Sequence, residues 1–93
     1  MSTQPHILVV DDEPQILRAL RTILTENHFS VSIARRGEEA LALAAANPPD
    51  VIILDLGLPD MDGYEVCVQL RTWTQVPIIV LSVRDSERDK VIA

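Results

Sequence analysis

Ninety-three residues, 47% apolar and 24% charged, fit one globular domain and not two, because a chain of this size buries roughly 60 to 70% of its unfolded surface. A formal charge of -6, from 14 acidic and 8 basic residues, argues against direct nucleic-acid binding, which needs clustered Lys and Arg. The longest apolar stretches, ALALAAA and VIIL, fall short of the roughly 18 residues of a membrane-spanning helix.

The opening MSTQPHILVVDDEP lacks a basic n-region and meets two aspartates directly after ILVV, so it is no signal peptide and the expected compartment is the cytoplasm. HILVV, residues 6–10, has strand length, and Pro14 suits the first turn of a following helix. In that helix Ile16, Leu17, Leu20, Ile23 and Leu24 form one stripe, with Arg18, Arg21 and Glu26 turned away from it. Phe29, Val31 and Ile33 alternate with Ser30 and Ser32, the pattern of a half-exposed edge strand. Arg35-Arg36, the one adjacent basic pair, reads as a solvated approach to the next helix. Gly37 opens GEEALALAAAN, a helix that Pro48-Pro49 ends near Ala46.

VIIL is apolar on both faces, as a central parallel strand requires, and Asp62 stands three residues before Glu65 at capping-box spacing for the helix YEVCVQLR. Cys67, the single cysteine, excludes an internal disulfide or a Cys-based zinc site and reads as a buried thiol. VPIIVLS is another two-face strand, begun by Pro77, and Ser86 and Asp89 suggest one more helix start. Strands alternating with helices imply right-handed crossovers and a doubly wound parallel α/β sheet. The reading is one domain over residues 1–93, truncated within its fourth helix, with the VPIIVLS edge open to pairing with a second copy.

In such sheets ligands gather outside the carboxyl ends of the strands. Asp11 and Asp12 follow the first strand and Asp55 ends the third; if those strands are neighbours, their backbones lie about 4.8 Å apart. Two unit charges about 5 Å apart repel by roughly 3 kcal/mol at an effective dielectric of 20, before solvent screening. Protonating one member or binding a cation relieves that repulsion; a divalent ion is the economical explanation, and oxygen-only ligands in a partly open site suit magnesium. Capping of the first helix accounts for one of the two aspartates, not for the convergence on Asp55. A metal beside a carboxylate supports phosphoryl transfer, with Asp55 as nucleophile. Ser82, after the fourth strand, offers a hydroxyl to the same group, although a serine there also satisfies local backbone.

Other chemistries fit less well. An aspartate-nucleophile phosphatase wants a second Asp where Gly57 stands, and an EF-hand aligned on Gly63 puts Leu58 and Gln69 at its end ligands. The acidic DDEPQ repels the phosphate of a flavin, and Gly37, Gly57 and Gly63 make no phosphate cradle. His6 and His28 fit neither HExxH spacing nor a Ser-His-Asp order, and read as structural or solvent-facing.

ILVVDDEP, VIILDLGLPDMDGYEV and VPIIVLS together resemble the receiver domains of two-component response regulators, particularly the group with a winged-helix DNA-binding output, over residue 5 to the last residue. The resemblance implies a flavodoxin-like fold of strand order 2-1-3-4, with the family's fifth strand and fifth helix missing here. It implies that Asp55 accepts a phosphoryl group from a sensor histidine kinase, and that Asp11, Asp12, Asp55 and the Gly57 carbonyl hold Mg2+ or Mn2+. Ser82 would be the switch hydroxyl, Pro59 would shape the loop, and a downstream domain would bind DNA. The family's conserved lysine has no counterpart, since Lys90 comes too early.

Overall fold

A computed structural model describes residues 4–81. Ser82, Ser86, Asp89 and Lys90, and with them the expected start of a fourth helix, lie outside the described residues. Seven elements alternate along the chain: β1 (His6–Val10), α1 (Pro14–Glu26), β2 (Ser30–Ala34), α2 (Gly37–Ala46), β3 (Val51–Asp55), α3 (Gly63–Arg71) and β4 (Ile78–Leu81). Their strands form one parallel sheet in the order β2-β1-β3-β4, the order the resemblance implies.

The apolar pattern of the two central strands builds the two cores. Leu8 and Val10 of β1, with Ile52 and Leu54 of β3, point to one face, where they pack with Ala40 and Ala44 of α2 and Val66 and Leu70 of α3. The intervening Ile7 and Val9 point to the other face and pack with Leu17, Leu20 and Leu24 of α1. Period-two alternation places successive side chains on opposite faces, so a strand covered on both sides must be apolar throughout. Each fully buried side chain of this kind contributes about 1.5–3 kcal/mol.

Ile23 departs from expectation. Its spacing puts it on the apolar stripe of α1, yet it is 54% exposed. At about 100° per residue it sits roughly 90° round the helix from the Leu17–Leu20–Leu24 line, beyond the width of the contact. Cys67 also differs from the buried thiol expected, being half-buried against the edge of the larger core.

α1 starts at Pro14, whose missing N–H costs nothing there. It ends in a Schellman motif: Phe29 N–H donates to the Leu24 carbonyl and His28 N–H to that of Thr25, with His28 left-handed at φ 69°. His28 is therefore a helix terminator. His6 is structural too, its ring lying between Ser30 Oγ at 3.2 Å and Ser32 Oγ at 3.0 Å. Those bonds tie β1 to edge strand β2 on the side away from the acidic residues.

Candidate functional site

The site follows from the register of the sheet. β1 and β3 are parallel neighbours with Val10 level with Leu54, so the next residues, Asp11 and Asp55, emerge side by side at the carboxyl edge. The switch point lies here, because the chain leaves β1 for β2 on one side and leaves β3 for β4 on the other. Asp11 N–H donates to the Ala34 carbonyl of β2 at 3.1 Å. Asp11 Oδ1 accepts from Glu13 N–H at 2.9 Å, an Asx turn that bends the chain toward α1 and fixes the carboxylate. The cap position of α1 is Glu13, which makes no side-chain capping bond of its own.

Asp11, Asp12 and Asp55 each offer a carboxylate oxygen, and these oxygens all lie within 4.8 Å of one another. In an octahedral Mg2+ site with bonds of about 2.1 Å, adjacent ligand oxygens stand about 3 Å apart and opposite ones about 4.2 Å. The three oxygens therefore need little movement to share one ion. Asp11 and Asp55 are each only 4% exposed, whereas Asp12 faces solvent. Two buried carboxylates and one at the mouth match a hard cation that keeps several waters.

The loop after Asp55 is built closely. Gly57 and Asp62 form an antiparallel bridge, and Gly63 N–H donates to the Leu56 carbonyl at 3.0 Å. A Cβ on Gly63 would stand 2.6 Å from both the Asp55 carbonyl oxygen and Leu56 Cα, so only glycine lets α3 start against the backbone of the strand end. Asp62 caps α3, accepting from Tyr64 N–H at 3.2 Å, as its spacing indicates. Glu65, the other half of the expected capping box, accepts from Gln69 Nε2 at 3.1 Å. Gly57 and Pro59 lie exposed on this loop.

Asp60 has a role that sequence reading missed. Its Oδ1 accepts from Gly37 N–H at 2.7 Å and its Oδ2 from Glu38 N–H at 2.9 Å, so it caps α2 from a loop more than twenty residues away. Those two backbone donors hold the Asp60 carboxyl below its ordinary value, against a smaller opposing effect of burial. The one available signal was negative: α2 begins after Arg36, which has no capping side chain of its own. Asp55 pairs in register with Leu81 of β4; Ser82 is the following residue, outside the described part.

Comparisons with known proteins find the same parallel 2-1-3-4 sheet. The family model for the response regulator receiver domain matches residues 7–93. The chain belongs to the response regulator receiver family. This receiver is 58% identical over 87 residues to the transcriptional regulatory protein KdpE of Mycobacterium tuberculosis, covering 94% of this chain and 38% of that protein. It is 49% identical to KdpE of Escherichia coli, over 95% and 39% of the two chains. The receiver thus spans under two-fifths of the length of the KdpE relatives it matches. Among solved structures, chemotaxis response regulator CheY4 of Vibrio cholerae matches with a TM-score of 0.86 at 33% identity, covering 95% of this chain and 76% of that one. The Francisella response regulator 1452 receiver domain matches with a TM-score of 0.82 at 36% identity, covering 88% and 69%. No helix among the described residues is long and apolar enough to cross a membrane.

Proposed function

We propose that this receiver takes a phosphoryl group from a sensor histidine kinase onto Asp55, with Mg2+ or Mn2+ at the site, and relays that change to a DNA-binding output. The observation that carries the reading is the convergence of Asp11, Asp12 and Asp55 within 4.8 Å at the carboxyl edge of the sheet. An Asp55 carboxylate oxygen attacks the phosphorus of the kinase phosphohistidine. An O–P bond forms, the P–N bond breaks, and its electron pair leaves with the imidazole.

Asp11, Asp12, Asp55 and the Gly57 carbonyl would hold the cation, which when bound neutralises charge on the transferring oxygens. Strand β3 fixes Asp55, and the Asx turn fixes Asp11, so neither carboxylate reorganises during transfer. Ser82 receives the phosphoryl oxygens as switch hydroxyl, and Pro59 shapes the loop. No residue of this chain is assigned the part of the family's lysine. The added charge of about -1.5 to -2 and its acceptor oxygens bias the surrounding loops between two arrangements. Relatives named as transcriptional regulatory proteins support a DNA-binding output beyond this receiver part.

Treatment with acetyl phosphate and Mg2+, followed by intact-mass measurement, tests the reading. The chain should gain one phosphoryl group and Asp55→Asn none; an unlabelled chain, or equal labelling of both, refutes it. A second reading, an interaction module pairing with another copy through β4, is favoured by Ile79 and Val80, which are 53% and 39% exposed on that strand. Solution mass that stays monomeric as concentration rises would remove it.

A further inference from the structure

The loop from Leu56 to Asp62 is fastened at both ends of its span. At its base, Gly57 bridges to Asp62. At its tip, both oxygens of Asp60 accept the first two N–H groups of α2, from Gly37 and Glu38. Gly37 shows how tightly the tip is seated, since a Cβ there would lie 2.4 Å from Met61 Cγ and 2.8 Å from Met61 Sδ. Met61 and Leu58 in turn pack against the larger core. The first four N–H groups of any helix lack partners within it and draw negative charge. Here a loop aspartate from elsewhere in the chain meets that need, so α2 and the loop brace each other.

We infer that Asp60 is a positioning residue for the cation site: by latching the β3–α3 loop to the start of α2, it sets where the Gly57 carbonyl stands beside Asp11 and Asp55. This rests on the receiver-site reading given above. Asp60 touches neither the cation nor the reacting atoms; it acts through Gly57, as supporting groups around metal sites do. Releasing the latch leaves the three carboxylates in place and loosens only the backbone ligand. Affinity for the metal should therefore fall while the fold persists.

The test is Mg2+ binding to the chain by titration calorimetry, alongside metal-free thermal unfolding. Asp60→Ala should raise the Mg2+ dissociation constant about tenfold, the lower end for loss of a group supporting a metal ligand. Asp60→Asn keeps one acceptor and should fall between Asp60→Ala and wild type. Glu39→Ala serves as the control, because Glu39 Oε1 accepts from Arg35 N–H at 3.0 Å and braces the same helix start from within α2. It should lower stability yet leave Mg2+ affinity within twofold of wild type. If Asp60→Ala fails to fold, Asp60→Asn decides: an intermediate affinity supports the inference and a wild-type affinity overturns it. Wild-type affinity in Asp60→Ala, or equal weakening in Glu39→Ala, overturns the inference alone. A wild-type chain that takes up no Mg2+ brings down both the inference and the reading beneath it.

Discussion

Asp55→Asn should make the metal-free chain more stable, and the size of the gain follows from the geometry. Oxygens of Asp11 and Asp55 lie within 4.8 Å in a setting that leaves each residue 4% exposed. At an effective dielectric of 20, unit charges at that separation repel by about 3.5 kcal/mol. The pair of Asp55 with solvent-facing Asp12 adds little, because exposed charges are screened. Hydrogen bonds already made, such as Glu13 N–H to Asp11 Oδ1, absorb part of the remainder. A net gain of about 2 kcal/mol is expected, which for a domain of this size raises the melting temperature by roughly 10 °C. Mg2+ should reverse the ranking's cause: at a hundred times its dissociation constant it stabilises the wild type by about 2.7 kcal/mol, and Asp55→Asn far less. Calorimetric melting of both proteins in EDTA and then in rising Mg2+ should show curves that converge. An Asp55→Asn protein that melts at or below wild type in EDTA would refute the electrostatic account.

Other parts of the structure carry their own tests. Gly63→Ala should cost about 1–3 kcal/mol in urea unfolding, since the new methyl meets backbone at 2.6 Å; an unchanged midpoint would show that the strand end and α3 are less closely joined than described. Asp60 has its carboxyl held below the ordinary 3.8 by the α2 donors, so its stabilising contribution is complete above 3.8 and is lost as pH falls through the lower folded value. The stability margin of wild type over Asp60→Asn should therefore be level near neutrality and shrink on acidification below about pH 4; a margin unchanged in acid would mean the charge is not what holds α2. Burial pushes the Cys67 thiol up from its ordinary 9.0, with Arg71 opposing. At pH 8 it should react with a disulfide reagent more slowly than a small free thiol, a comparison of rates that fails if Cys67 reacts faster.

Much of this receiver was legible in the residues alone. The unbroken apolar run VIIL marked β3 as central, because only a strand covered on both faces can lack a polar side. Alternation in Phe29–Ile33 marked β2 as an edge, and Pro14 and Asn47-Pro48 bounded helices for reasons of backbone chemistry. Those signals are local, so they survive without knowledge of the fold. The pairing of Asp11 with Asp55 was legible only conditionally, since it needed β1 and β3 to be neighbours, and the parallel register supplied that.

What tertiary structure decided lies between elements distant in sequence. Asp60 caps a helix that begins 23 residues earlier, and no spacing rule predicts it because the partner is chosen by the path of a loop. Gly63 must be glycine because a helix start meets the end of β3, a contact between backbones that leaves no pattern in side-chain types. Ile23 fits the period of its helix yet lies outside the contact, because periodicity gives direction and not the width of the neighbouring surface. The sequence determined which carboxylates could gather at the sheet's edge; packing determined how the loop beside them is held.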